Sequence, residues 1–189
     1  MIRIAIFVSG RGSNAGQLIK HFQKHQQVRV EALLSNNPQA GALQVAEKEK
    51  VSVLVFSRKD LAEGVVTSYL KVHKIDWIVL AGFIWLLPPS FIHDFAGRII
   101  NIHPALLPDF GGRGMYGLHV HEAVKNSGAT ETGITIHLVN EKYDDGEILF
   151  QAKCPVDAND TATDISSHVL RLEHRHFAAI VEHTVLEKT

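Results

Sequence analysis

The sequence is poor in cysteine, in net charge and in long apolar runs. Cys154 is the only cysteine, which excludes an internal disulfide and a thiolate zinc cluster and suits a reducing compartment. Nineteen Lys and Arg against 20 Asp and Glu leave a formal charge of −1, so no net basic field exists to hold nucleic acid by counterion release. Behind Arg3, the apolar run of residues 4–8 ends at Ser9-Gly10, too short for the h-region of a signal peptide. The longest uncharged stretch, residues 77–92, is broken by Pro88-Pro89 and falls short of the roughly 18 apolar residues that a membrane span needs. These absences predict a soluble, cytoplasmic protein with neither nucleic acid nor membrane as partner. A chain of 189 residues fits one domain at roughly 150 per domain. Area scaling leaves about 9,000 Å² exposed, with roughly 70 % of the unfolded surface buried and no need for a covalent staple.

What is present is an alternation of short β-branched runs with longer helical patterns, the rhythm of an α/β fold. Residues 2–9, 28–35, 53–56, 77–81 and 98–103 read as strands, mostly continuous in apolar character as buried parallel strands are. Ala15, Leu18, Ile19 and Phe22 recur at helical spacing and predict an amphipathic first helix. Residues 41–50 and 61–73 read as the next two crossovers. Residues 132–139 alternate Ile134, Ile136 and Leu138 with Thr135 and His137, and 148–156 follow a polar turn, so these two strands read as an antiparallel addition. Thr161 and Asp164 form a capping-box pattern that opens a last helix to about Leu186. The fold predicted is a Rossmann-like, doubly wound, mostly parallel sheet with a late antiparallel addition, in one domain over residues 1–189.

Three loops carry chemistry. The first, Ser9-Gly10-Arg11-Gly12-Ser13-Asn14-Ala15, joins strand to helix where doubly wound folds bind ligands. It satisfies G-x-G-x-x-A, yet the second strand ends in Ser35-Asn36 and lacks the acidic residue that would hold a ribose diol. The Lys-Ser/Thr pair of a Walker A loop is absent as well. What remains is close backbone approach and helix N-terminal amides, which favour an anion such as a phosphate monoester; a merely tight turn with Ser13 as N-cap is the plainer alternative. The second is Asn101-Ile102-His103-Pro104-Ala105-Leu106-Leu107-Pro108. An unpaired buried amide or imidazole costs about 1–3 kcal/mol, so Asn101 and His103, two apart on one strand face, point to a cleft at the strand's carboxyl end. The third is the acidic turn Tyr143-Asp144-Asp145-Gly146-Glu147, by composition a solvated hairpin, although a carboxylate near His103 would favour the protonated imidazole. His21 with His25, and His174 with His176, invite a metal reading. Neither pair brings an H-E-x-x-H pattern or an oriented carboxylate set, so an exposed helical face is expected and no metal.

Taken in order, the loop 9–14, the run Leu80-Ala81-Gly82-Phe83, the segment 101–108, the element Gly117-Leu118-His119-Val120-His121 and the Asp144 turn resemble the phosphoribosylglycinamide formyltransferases. The resemblance spans essentially the whole chain. Asn-Ile-His-Pro-Ala-Leu-Leu-Pro is similar to the signature of the wider group of 10-formyltetrahydrofolate transferases and hydrolases, and the Gly-Ser-Asn loop to the purine-pathway member. It implies formyl transfer from 10-formyltetrahydrofolate to the amine of 5′-phosphoribosylglycinamide, with small-molecule partners only, no metal, and a homodimer admitted but not required. It further implies that Gly12, Ser13 and Asn14 cradle the ribose phosphate and that Glu173 binds the ribose hydroxyls. The pterin would lie on Ile84, Trp85, Leu86 and Leu87, with Asn101 also facing the folate and Arg58 meeting its glutamate. Asn101, His103 and Asp144 would be the catalytic trio, with Asp144 keeping His103 charged, and Thr135, His137 and His119 would brace it. Two features depart from the family pattern: Trp85 stands where many members carry Arg, and the loop 109–116 is longer than its compact form. Methionyl-tRNA formyltransferase and formyltetrahydrofolate hydrolase share the central segment but carry further domains for which this length leaves no room. A non-catalytic phosphate-binding module would have no use for Asn101 with His103.

Overall fold

The computed structural model describes residues 1–188. One seven-stranded sheet organises them, built from β1 (Ile2–Val8), β2 (Val28–Ser35), β3 (Ser52–Val55), β4 (Trp77–Leu80), β5 (Ile99–His103), β6 (Glu131–Leu138) and β7 (Ile148–Pro155) in the order 3-2-1-4-5-6-7. The pairs among β1 to β5 are parallel, whereas β5 with β6 and β6 with β7 are antiparallel. The Rossmann-like sheet with its late antiparallel addition is therefore what forms. Strand order reverses beside β1, whose neighbours are β2 and β4, and at such a switch point the outgoing loops part and leave a crevice.

Alternation along the strands fills two cores. Ile4, Ile6 and Val8 of β1 face a cluster with α1 (Ser13–Phe22), α2 (Gly41–Lys48) and the long C-terminal α7 (Ala162–Glu187), which contributes Ile165, Val169, Phe177, Val181 and Val185. Ala5 and Phe7 face the other side, against α3 (Arg58–Ala62), α4 (Val65–Val72) and α5 (Pro89–Asp94). The remaining helix, α6 (Leu118–Ser127), buries Val120, His121 and Val124. The accessible surface is 9823 Å², close to the area expected for a chain of this mass.

The helices differ from expectation in three places. The crossover expected over 61–73 is two helices, because Gly64 takes φ 80° between α3 and α4, and Ser57 and Asp60 close a capping box that starts the first of them at Arg58. α5 begins at Pro89, where a proline fits because the first helical N–H has no intrahelical partner. α6 follows the glycine-rich loop directly. The capping box expected at Thr161 and Asp164 does open α7.

Candidate active site

The loops at the carboxyl ends of β1, β4 and β5 surround a cavity of 880 Å³, closed on its other sides by the loop before α6, the β6–β7 turn and α7. At one end lies the N-terminus of α1. Gly12 caps it at φ 79°, ψ 29°, with no side-chain hydrogen bond at the cap among the described residues; Ser13 is the first helical residue rather than the cap. A Cβ on Gly12 would lie 2.3 Å from the Ala42 Cβ, so α2 packs directly on the loop and only glycine fits between. Beside it, Asn14 Nδ2 donates to Glu173 Oε2 at 2.7 Å, while the buried Asn14 Oδ1 has no partner among the described residues. Burial raises the Glu173 pKa, partly offset by Asn14. The α1 terminus can thus hold an anion, and the Asn14–Glu173 pair offers further acceptors to hydroxyl groups.

In the middle of the cavity, the β5–β6 register sets Asn101 opposite His137 and His103 opposite Thr135. His137 Nδ1–H donates to the Leu138 carbonyl at 2.9 Å, and Asn101 Nδ2 donates to its Nε2 at 3.1 Å. One amide hydrogen is held there, so the second is free for a ligand. His103 Nε2–H donates to the Phe110 carbonyl at 2.8 Å. Its Nδ1 lies 3.6 Å from Asp144 Oδ2, and His137 Nε2 lies 3.7 Å from Asp144 Oδ1. Asp144 also accepts the Gly112 N–H at 2.8 Å. The turn that composition marked as a solvated hairpin therefore folds its first aspartate inward, against two imidazoles, and leaves Asp145 exposed.

Burial sets the charges here. Desolvation pushes the Asp144 carboxyl up, but the facing His137, the His103 charge and the Gly112 N–H outweigh it, and the pKa falls below the usual carboxylate value. For His103, desolvation wins over the Asp144 charge and the Phe110 carbonyl, and His137 adds to it, so its pKa falls below that of a free imidazole. The Asp144 charge thus favours the protonated His103 ring, as expected, but burial opposes it more strongly, and the Phe110 carbonyl holds a proton on Nε2. Thr135 lies behind the site. Its Oγ1 donates to the Ala105 carbonyl at 2.7 Å and accepts from the Leu107 N–H and Gln151 Nε2, each at 2.9 Å, pinning the segment that leaves β5.

The formyl transferase family model matches residues 2–181. The chain belongs to the formyl transferase family. It is 41 % identical over 188 residues to a chloroplastic phosphoribosylglycinamide formyltransferase of Vigna unguiculata, a match that covers 95 % of this chain and 60 % of that protein. The chain thus spans less than two thirds of the length of that relative. The phosphoribosylglycinamide formyltransferase of Haemophilus influenzae is 31 % identical, with 96 % and 86 % covered. The crystal structure of the Brucella melitensis phosphoribosylglycinamide formyltransferase superposes with a TM-score of 0.85 at 40 % identity, covering 95 % of this chain and 93 % of that one.

At the other end of the cavity, this formyl transferase family member exposes apolar surface. Ile84 and Leu86 are 50 % and 46 % exposed, whereas Leu87 belongs largely to the core. Trp85 packs edge-on against Phe56 and carries the Arg58 guanidinium 4.4 Å above its ring. Arg58 thereby supplies a cation beside Trp85. His119 does not brace the trio. It lies on the outer face of α6 beside Glu122, at 3.3 Å, with its side chain 66 % exposed, because residues 120, 121 and 124 form the buried stripe. His121 is the histidine of this helix that lines the cavity; its place was legible from that i, i+1, i+4 stripe. The backbone of Phe110 and Gly112 was not, since no side-chain pattern marks it. His21, exposed as expected, and the part-buried His25 both meet Glu182 of α7, at 2.5 and 3.1 Å. Among the described residues, no group of three His, Cys, Asp or Glu side chains is arranged to hold a metal ion.

Proposed function

We propose that this chain is a single formyltransferase domain that transfers the formyl group of 10-formyltetrahydrofolate to the amine of 5′-phosphoribosylglycinamide, a cytoplasmic step of purine biosynthesis. The observation that supports this most strongly is the meeting of Asn101, His103 and Asp144 in one cavity with the Gly12-capped α1 terminus. The α1 terminus with Gly12, Ser13 and Asn14 takes the phosphate, Glu173 the ribose hydroxyls, and the apolar run 84–87 with Arg58 the folate and its carboxylate tail.

The substrate amine attacks the formyl carbon, and the carbonyl π electrons move to oxygen. The free hydrogen of the Asn101 amide donates to that oxyanion; loss of one such donor typically costs about 10²–10³-fold in kcat. His103 enters neutral, with the Nδ1 lone pair beside Asp144. A water held by Asp144 takes the proton of the attacking nitrogen to the His103 Nδ1 lone pair, and the imidazolium so formed is balanced by Asp144 and by the oxyanion beside it. The same proton then passes from His103 through that water to the folate N10, acid–base help of about 10²–10⁴-fold. The C–N10 bond then breaks with its electrons on N10, and the carbonyl re-forms. No covalent enzyme intermediate is needed, and two bound substrates supply proximity.

The test is release of tetrahydrofolate from 10-formyltetrahydrofolate by the purified protein. Release only in the presence of 5′-phosphoribosylglycinamide, with its formylated product recovered, supports the reading. Release without that substrate indicates hydrolysis instead.

A further inference from the structure

His121 is a buried titratable group that the mechanism above leaves unused. It is 4 % exposed, sits in the first turns of α6, and lines the same cavity as Asn101, His103 and Glu173. Its Nδ1 is buried without a hydrogen-bond partner among the described residues. A bare lone pair in that position is tolerated far better than an orphaned N–H, so the proton belongs on Nε2. No protein group bonds Nε2 among the described residues, and it is not among the buried unpartnered atoms, so it is the ring nitrogen that reaches the open cavity.

The group also holds its uncharged form. Burial, with His103 close enough to oppose a second positive charge, brings the His121 pKa down to about 4, and the nearby N-terminus of α6 disfavours a cation in the same sense. At neutral pH such a ring is neither a base nor a cation. It is an uncharged donor, fixed in one tautomer.

We propose that His121 is a substrate-contacting donor whose Nε2–H bonds an oxygen of the bound acceptor beside its reacting amine. This rests on the functional reading above, because the acceptor named there is the ligand that fills this part of the cavity. His121 then holds the amine in line while the Asn101 amide serves the oxyanion, and its neutrality avoids adding a charge beside His103.

The experiment joins kinetics with nitrogen NMR. In ¹⁵N-histidine-labelled protein without ligand, His121 is expected as the neutral Nε2–H tautomer at pH 7, with its Nε2 signal shifting when 5′-phosphoribosylglycinamide is added. The apolar variant His121→Phe is expected to lose about 10²-fold in kcat/KM for that substrate, with KM for the formyl donor unchanged. His121→Gln, which keeps an N–H near the Nε2 position, is expected within about 5-fold of wild type. A Nδ1–H tautomer, a signal indifferent to the substrate, or His121→Phe turning over like wild type overturns the proposal. If His121→Phe does not fold, the tautomer, the shift and His121→Gln decide. Failure of wild-type turnover would instead refute the functional reading, while the ligand-free tautomer still tests the ring's state.

Discussion

Gly12→Ala gives a sharp test of the α1 terminus, because the cost can be worked from geometry. At φ 79° an alanine pays left-handed strain of about 1–2 kcal/mol. Its methyl would also lie 2.3 Å from the Ala42 Cβ and 2.7 Å from the Ala42 Cα. Both are parts of a helix that cannot rotate away, so the backbone must shift, and overpacking of this kind costs about 1–3 kcal/mol. The expected loss is about 2–5 kcal/mol, or a Tm lower by about 4–20 °C for a chain of this size. The shift parts the loop from α2, where the Ala42 N–H donates to the Gly10 carbonyl at 3.3 Å, and KM for the ribonucleotide should rise at least about 10-fold. Gly16→Ala, one turn on, is the control. Its Cβ meets only the Val45 Cγ1, at 3.4 Å, and replacing glycine inside a helix stabilises by about 0.5–1 kcal/mol. Thermal melts and initial rates on both variants decide the matter. A Gly12→Ala protein with wild-type Tm and KM would refute the argument that contact with α2 shapes this loop.

Two other consequences can be measured. His137→Phe removes the acceptor that orients the Asn101 amide, so kcat should fall about 10²-fold, as for a reacting group misplaced by about 1 Å, with KM for both substrates little changed; an unaltered kcat would separate Asn101 from His137. His121 has a folded pKa of about 4, below its unfolded value, so the unfolded chain binds the extra proton as the pH falls. Its stabilising contribution is full above about pH 6.5 and is lost between about pH 6.5 and 4, amounting to about 3 kcal/mol. Urea unfolding of wild type and His121→Gln across that range should show the wild type losing about that much more, and parallel curves would refute it.

The strands were legible because buried parallel strands leave continuous β-branched runs, and the first helix because its apolar stripe is regular. The breaks were less so. Gly64 splits a crossover whose apolar pattern runs on, and the box at Ser57 and Asp60, the same signal that marked α7, starts α3 three residues earlier than expected. Pro88-Pro89 interrupts an apolar run in the sequence and also opens α5. Asn101 and His103 could be paired from strand alternation alone. Asp144 could not, since an acidic turn looks the same whether it faces water or an imidazole, and only the family resemblance singled it out. The charge on His103 is set by opposed effects: a nearby carboxylate argues for a cation, but sequence does not reveal how completely the ring is withdrawn from water.

Loop packing, more than strand pairing, decides where the carboxylate sits. The β5–β6 register can bring His137 beside Asn101, but residues 139–147 must then fold back for Asp144 to face both imidazoles. Gly146 permits this, since a Cβ there would lie 1.7 Å from the Leu138 carbonyl oxygen. Gly111 passes so close that its Cβ would meet the Asp144 Cβ at 3.3 Å, and its two neighbours take hold of the trio, Phe110 through its carbonyl on His103 and Gly112 through its N–H on Asp144. The long loop 109–116 is therefore more than a cover. It fixes the His103 tautomer and restrains the carboxylate at once, so any motion that lifts it frees both groups together, and the arrangement of His103 with Asp144 is complete only while this loop is seated.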